Sequence, residues 1–261
     1  MEAHHLRVIE RLKEKFQDDP RYLALIVDGS LVKGRGQVNS DVDIQLVASA
    51  EEYARCVEKG EFWYYDAEIC DYPGGYVDGK IIDVQFLRDA AHHGSEPARA
   101  AFVGAFLAFS HLPELDNLLK QIPVYQDSER EAKMQAFYGQ VQMLNWYVKD
   151  AEKRDQLYLR AHATSEMVFY AARLVLAYNH ILYPYHKWLM YEVERAPEKP
   201  ENFLSLAETL LKDGSAANAD ALWQCIDQYR DWGLTWSQAL VLFMKESEWN
   251  WREGRAPLAD W

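Results

Sequence analysis

The chain has 261 residues, of which 49% are apolar and 26% are charged. This is the composition of a globular protein, and it excludes a disordered or collagen-like chain. The 28 Lys and Arg residues against 41 Asp and Glu residues give a net charge of −13. Such a charge argues against a partner held by phosphate neutralisation, so we expect no nucleic acid as a partner. It suits either a cationic substrate or simply a soluble cytosolic protein, and the second is the commoner meaning of such a charge.

Cysteine usage and hydropathy indicate the cellular compartment. The three cysteines, Cys56, Cys70 and Cys225, lie far apart and form no C-x-x-C motif, so neither a disulfide scaffold nor a zinc ribbon is predicted. The first residues lack a basic segment followed by an apolar run, and no apolar stretch is long enough to cross a bilayer. We therefore expect a cytoplasmic protein with no membrane partner, while the sequence leaves the oligomeric state open.

Up to about residue 125, short β-rich segments alternate with turns. Apolar residues at helical spacing predict a helix over 6–16. Strands are predicted over 22–27, 41–47, 62–70 and 80–87. The last two form the arms of a predicted hairpin, because a Pro-Gly-Gly and an Asp-Gly lie between them. Segment 103–109 fits either one more strand or part of a helix.

Beyond residue 126 long helical patterns dominate, and eight of the nine tryptophans lie there. Helices are predicted over 127–152, 156–182, 200–211, 216–231 and 234–250. The change in pattern, with Ile122-Pro123-Val124 at the joint, predicts two domains, 1–125 and 126–261. The expected fold class is α+β, with a mixed sheet and flanking helices followed by a C-terminal helical bundle.

Three carboxylates are candidate metal ligands. Asp41 and Asp43 are two residues apart on one predicted strand, so both project from the same face. Asp83 is predicted to lie in the middle of the return arm of the hairpin, and the three carboxylates meet if those strands are neighbours. Carboxylates that meet repel each other and raise each other's pKa. A divalent cation resolves this conflict, and oxygen ligands select Mg²⁺ or Mn²⁺.

A glycine and a serine directly after the first buried strand form the second candidate feature. Gly29 lets the backbone approach a ligand closely, and free backbone N–H groups at Ser30 suit an anion. Lys33 and Arg35 add positive charge shortly afterwards, which makes Lys33 a candidate nucleotide ligand. A phosphate site beside metal-binding carboxylates is the pattern expected for a nucleoside triphosphate with its magnesium.

The order of these elements resembles a known family. Gly29-Ser30, ten residues, Asp41-Val42-Asp43 and then a hydrophobic strand bearing Asp83 are similar to the nucleotidyltransferase fold of the DNA polymerase β superfamily. The string GSLVKGRGQVNSDVDI resembles that of small-molecule nucleotidyltransferases such as the aminoglycoside and lincosamide enzymes. The later stretch 177–197 is similar to part of the helical domain of bacterial proteins of this group. The resemblance covers nearly the whole chain and is most specific at the N-terminal motif.

The resemblance implies transfer of a nucleoside monophosphate, AMP from the co-substrate ATP, with release of pyrophosphate. It assigns Asp41 and Asp43 to two Mg²⁺ (or Mn²⁺) ions, with Asp83 sharing the catalytic ion and able to take the acceptor proton. The Gly29-Ser30 corner and Ser40 would hold the β- and γ-phosphates. The protein would act mostly by positioning and charge stabilisation.

The helical half offers two further candidates. Lys187 lies among aromatic residues and is either a triphosphate ligand, by resemblance to this group, or a surface lysine packed over Trp188. Glu166 recurs with Arg173 and His180 on one face of a predicted helix. That face either lines the cleft, with Glu166 as a general base or acceptor contact, or is an ordinary solvated face.

The predicted function is Mg²⁺-dependent nucleotidyl transfer to a hydroxyl of a small-molecule acceptor. An aminoglycoside-like antibiotic is the leading acceptor, because an acidic protein attracts a polycation, and antibiotic resistance would then be the role. One alternative is transfer to a protein hydroxyl (AMPylation), although the long helical half counts against it. A non-catalytic nucleotide-binding module is disfavoured by the intact carboxylates, and an RNA-end transferase by the lack of a basic patch.

Overall fold

The computed structural model describes residues 1–252 and 254. The chain divides into two units, Met1–Val124 and Tyr125–Trp261. The first unit contains a mixed sheet with helices on both faces, and the second is built from helices. The expected α+β fold class is confirmed. None of the described helices is both long enough and apolar enough to cross a membrane.

Five strands form the sheet of the first unit. They are β1 (Tyr22–Val27), β2 (Val42–Ala48), β3 (Trp63–Asp66), β4 (Val77–Ile82) and β5 (Phe106–Ser110). Their order across the sheet is β3-β4-β2-β1-β5. The β2–β4 pair is parallel, whereas all other neighbours are antiparallel. The central strands β1 and β2 are buried almost throughout, as their continuous Val, Ile and Leu content requires.

Six helices accompany the sheet. They are α1 (Ala3–Phe16), α2 (Gly29–Val32), α3 (Ala50–Lys59), α4 (Val84–His93), α5 (Glu96–Ala101) and α6 (Leu115–Gln121). Their ends follow local rules. Ser49 caps α3 by accepting the N–H of Glu52, and Gly60 closes the same helix in the left-handed conformation, where glycine carries no side-chain penalty.

Alternate side chains of the strands fill two separate cores. On one face, Leu25 and Ile44 pack with Leu12 of α1 in a fully buried cluster. On the other face, Ile26 packs with Leu87 of α4 in a second cluster. Because successive strand residues point to opposite faces, one end of this second face is left for polar residues. Those residues form the candidate site.

The second unit is organised around two long helices, α7 (Arg130–Lys153) and α8 (Leu157–Tyr178). The remaining helices are α9 (Leu189–Arg195), α10 (Phe203–Lys212), α11 (Ala216–Asp227) and α12 (Trp236–Phe243), followed by a π-helical turn over Met244–Glu248. A single apolar core runs between them. Both long helices are buried on several sides, so their apolar residues are not confined to one stripe.

The predicted return strand over 80–87 is correct for residues 80–82 and wrong beyond them. Strand β4 begins at Val77 and ends at Ile82, and residues 84–93 form helix α4. The hairpin itself is correct, because β3 and β4 pair antiparallel with Trp63 opposite Lys80. Strand β4 runs through Asp78-Gly79, which the sequence analysis predicts as part of a turn. Within the strand, Gly79 packs against Ile44. A Cβ at Gly79 would lie 2.7 Å from Ile44 Cγ1, so only glycine fits here.

Candidate functional site

The chain leaves β1 through a glycine corner that touches a carboxylate. The N–H of Asp28 still donates to the backbone carbonyl of Asp43 at 3.0 Å, and Gly29 then adopts a positive φ of 74°. A Cβ built on Gly29 would lie 1.7 Å from Oδ2 of Asp43. Both the backbone conformation and the lack of space therefore require glycine at this position. The sequence-predicted Gly29-Ser30 corner does face Asp43.

Asp43 is the centre of the candidate site. Its Oδ2 accepts a hydrogen bond from the N–H of Ser30 at 3.4 Å. Burial, followed by repulsion from Asp41 and Asp28, raises the pKa of Asp43 to about 7, and the Ser30 hydrogen bond opposes this rise only in part. A buried carboxylate whose pKa is raised beside two like charges is suited to bind a cation, since a cation removes the repulsion.

Asp41 lies just before β2 and contributes the second carboxylate. A hydrogen bond to Asp41 raises the pKa of the Tyr76 hydroxyl. The Tyr76 carbonyl accepts the N–H of Val42 at 3.0 Å, so this tyrosine is fixed on both its backbone and its side chain. Asp41 and Asp43 thus meet at one end of β2, as predicted from their spacing.

The third carboxylate at this point is Asp78, a residue that the sequence analysis did not single out. The parallel β2–β4 ladder sets Asp78 directly beside Asp43, and its negative charge contributes to the raised pKa of Asp43. Trp63 Nε1 donates to Asp78 Oδ1 at 2.6 Å and fixes the orientation of the carboxylate. The available signal was the Val77–Ile82 segment itself, whose Asp-Gly was taken for a turn.

Asp83 does not join this group, and the prediction that it completes the carboxylate trio is wrong. It lies just beyond the far end of β4, five residues after Asp78, which is about 16 Å along an extended strand. Its side chain caps helix α4, with Oδ1 accepting the N–H of Phe86 at 2.7 Å. The error follows from placing the strand several residues too late.

A buried polar pair lies behind the carboxylates. Gln45 Nε2 donates to Asp28 Oδ2 at 2.6 Å, and both side chains are more than nine-tenths buried. Burial raises the pKa of Asp28, although the Gln45 hydrogen bond and the charge of Lys33 act in the opposite direction. Burial lowers the pKa of Lys33, and Asp28 partly offsets that fall. Lys33 therefore lies close enough to the site to interact with its charges.

Ser40 shapes the loop that leads into β2. Its Oγ accepts the N–H of Gln37 at 2.8 Å, and its carbonyl accepts the hydroxyl proton of Tyr72 at 2.7 Å. These contacts fix the backbone just before Asp41. The predicted role of Ser40 in holding a phosphate remains a prediction.

The two candidates from the helical half lie in the second unit. Lys187 is exposed, and its Nζ is 5.7 Å from the centre of the Trp188 ring. This is the arrangement of a surface lysine packed over Trp188, the second of the two alternatives given by the sequence. Glu166 lies on α8 and lines a cavity of about 250 Å³. Arg173 and His180 make separate contacts: Arg173 packs against aromatic rings, and His180 bonds Asp127.

Comparison with known proteins gives a structural likeness at low sequence identity. No family model matches the chain, and no curated protein matches it. Among solved structures the chain is similar to a nucleotidyltransferase-like protein from Exiguobacterium sibiricum, with 12% sequence identity and a TM-score of 0.48. The likeness covers 97% of this chain and 81% of that chain.

Proposed function

We propose that the first unit transfers a nucleoside monophosphate, AMP from ATP, to a hydroxyl of a small-molecule acceptor and releases pyrophosphate. The observation that carries the proposal is the contact between the Gly29-Ser30 corner and Asp43, with Asp41 and Asp78 alongside. A corner of backbone N–H groups next to clustered carboxylates offers one surface to phosphates and another to their cation.

The donor set suits Mg²⁺ or Mn²⁺. Within residues 1–252 and 254, no three His, Cys, Asp or Glu side chains already meet as a metal site. Mg²⁺ that arrives with a nucleotide uses one or two carboxylates and takes its other ligands from phosphates and water. Asp41 and Asp43 would supply those carboxylates. Burial and, after it, repulsion from Asp41 and Asp28 raise the pKa of Asp43 to about 7, and the repulsive part would fall when the ion binds. When bound, the metal would lower the pKa of the acceptor hydroxyl and offset phosphate charge.

Phosphate binding, charge balance and proton transfer would be carried out by backbone and side-chain groups of the first unit. The Ser30 N–H, which donates to Asp43 Oδ2 at 3.4 Å, would donate to a phosphate oxygen instead once Asp43 holds the cation, and the ammonium of Lys33 would balance part of the phosphate charge. The acceptor oxygen would attack the α-phosphorus in line, the bond to the leaving pyrophosphate oxygen would break, and the acceptor proton would pass to a carboxylate oxygen of Asp78. Asp78 replaces Asp83 in this scheme because it is the residue paired with Asp43.

The acceptor is proposed on charge grounds. The chain carries −13, and clustered carboxylates raise the local concentration of cations. An aminoglycoside-like compound, with several amines and several hydroxyls, has the matching charge and the group to be modified. Antibiotic resistance is the corresponding biological role.

The proposal is tested by nucleotide binding and by turnover. ATP with Mg²⁺ should raise the melting temperature of the wild-type chain, and Asp41→Asn with Asp43→Asn should remove the rise. Asp18→Asn is the matched control, because Asp18 is exposed and lies outside the site. Pyrophosphate release should then depend on an added aminoglycoside. Absence of any ATP-dependent shift in the wild type would refute the proposal, and a shift without pyrophosphate for any small or protein acceptor would indicate a non-catalytic nucleotide-binding module.

A further inference from the structure

The helical unit contains a cavity of about 250 Å³ that the proposed chemistry does not use. Three aromatic rings line it, those of Tyr147, Tyr170 and Phe243, together with the polar side chains of His162, Glu166 and Ser247. It is formed by α7, α8, α12 and the π-helical turn that follows α12. All of its walls belong to the second unit.

Glu166 gives the cavity its charge. The side chain is half-buried, and in the part of the chain that the structure describes it makes no hydrogen bond or ion pair. Burial raises the pKa of Tyr170, and the negative charge of Glu166 adds to that rise, so the carboxylate and the ring interact. Arg173, the cation next along the helix, packs against the Phe137 and Tyr183 rings at 4.6 and 4.3 Å from their centres.

The aromatic rings favour a positively charged occupant. The faces of Tyr and Phe rings attract a cation electrostatically, and the attraction grows as water is excluded. Tyr147 and Phe243 lie with their ring centres 5.8 Å apart and form one side of the cavity. Among the described lining residues there is no lysine or arginine, and His162, one turn before Glu166, is the one side chain that can carry a positive charge.

One wall has the irregular backbone that often accompanies binding sites. Residues Met244–Glu248 form a π-helical turn, a rare conformation that is frequent at functional sites. Ser247 of this turn is held by the buried Gln140: the amide Nε2 donates to Ser247 Oγ at 3.0 Å, and the hydroxyl donates back to Oε1 at 3.3 Å. The wall is therefore fixed without using the carboxylate of Glu166.

We propose that this cavity binds a small organic cation, an ammonium group carried on a ring or short chain. The ammonium would pair with Glu166, and the body of the ligand would lie against Tyr147, Tyr170 and Phe243. The proposal is independent of nucleotidyl transfer, because it concerns a cavity formed within the second unit alone. In this proposal Glu166 binds the ammonium group of a ligand and does not act as a general base.

The test uses benzylammonium as the probe and benzyl alcohol as its neutral counterpart, titrated calorimetrically into the full-length chain. We expect saturable binding of benzylammonium and much weaker binding of the alcohol. Glu166→Gln should weaken benzylammonium binding about tenfold or more, which is about 1.4 kcal/mol. Glu201→Gln, which removes the same charge at an exposed position outside the cavity, should leave the affinity within twofold.

Three results would overturn the proposal: no saturable binding of benzylammonium, equal binding of benzyl alcohol, or unchanged affinity in Glu166→Gln. Melting temperatures of the variants show whether they are folded. If Glu166→Gln does not fold, Tyr147→Leu provides the second test, because it keeps apolar bulk and removes the ring. It should weaken benzylammonium binding several-fold, and an unchanged affinity would count against the proposal.

Discussion

The backbone N–H of Ser30 donates a hydrogen bond to Oδ2 of Asp43 across 3.4 Å, joining the corner after β1 to the strand beside it. The Cα of Gly29 faces the same carboxylate with no room for a side chain between them. The corner and the carboxylate therefore form one structural unit. A change at either residue should alter both the stability of the first unit and its ability to bind a nucleotide.

Gly29→Ala should damage the fold and the site together. The alanine must adopt a positive φ and must displace Asp43, because its Cβ would lie 1.7 Å from Oδ2. The left-handed conformation alone costs about 1–2 kcal/mol, and the displacement should bring the loss to about 3 kcal/mol. Urea denaturation measures the loss, and the ATP-dependent rise in melting temperature should vanish.

Gly34→Ala is the matched control for the Gly29 variant. Gly34 also has a positive φ, of 69°, but a Cβ there would meet nothing within 4 Å. The variant should lose only the conformational cost of about 1 kcal/mol and should keep nucleotide binding. Equal losses in the two variants would show that the contact with Asp43 has no energetic role.

Asp43→Asn should stabilise the metal-free protein at alkaline pH. The folded-state pKa of Asp43 is about 7, above its ordinary value of 3.8. The folded state therefore holds the proton more tightly, and stability falls as pH rises from about 4 through 7. Asparagine removes this loss, so the gain should be larger at pH 8 than at pH 5 by about 2–3 kcal/mol. Urea denaturation in EDTA at the two pH values measures it, and an equal gain at both would contradict the assignment.

The local parts of the site could be predicted from the sequence, whereas the pairing of the strands could not. The buried run before Gly29 and the alternation around Asp43 are local patterns, and both strands are found where they were predicted. The pairing of Asp78 with Asp43 joins residues that are 35 positions apart in the chain, through a parallel ladder. Parallel pairs need a long crossover, and no local pattern identifies the partner strand.

The error at Asp83 has a specific physical cause. Ile82, Val84 and Phe86 alternate with polar residues as a strand would, but Asp83 is a good N-cap and begins a helix instead. The long helices of the second unit were easier to predict, because a 3.6-residue apolar pattern sustained over many residues is a strong signal. The segment predicted over 127–152, for example, is helix Arg130–Lys153.

Asp78→Ala and Asp83→Ala should separate the two candidate third carboxylates. Asp78→Ala should lower pyrophosphate release by about 100-fold or more, because a carboxylate beside Asp43 is lost. Asp83→Ala removes only a helix cap and should cost about 1 kcal/mol of stability with turnover retained. Loss of turnover in Asp83→Ala together with retained turnover in Asp78→Ala would support Asp83 as the third carboxylate and refute the assignment of Asp78.

Asp66→Asn should weaken the first unit at neutral pH and weaken it less in strong acid. Lys15 Nζ and the Tyr64 hydroxyl both donate to Asp66 Oδ2 at 2.8 Å. Burial alone would raise the pKa of Asp66, but these hydrogen bonds outweigh it and hold the pKa below 3.8. A lowered pKa means stability that is present above pH 3.8 and is lost as pH falls below it.

The loss of stability in Asp66→Asn should be about 1 kcal/mol at pH 7. The control is Asp116→Asn, which removes a carboxylate from an exposed pair with Lys120 and should change the stability little. Urea denaturation at pH 7 and pH 2.5 measures both variants, and a loss for Asp66→Asn that persists undiminished at pH 2.5 would assign the effect to packing rather than to charge.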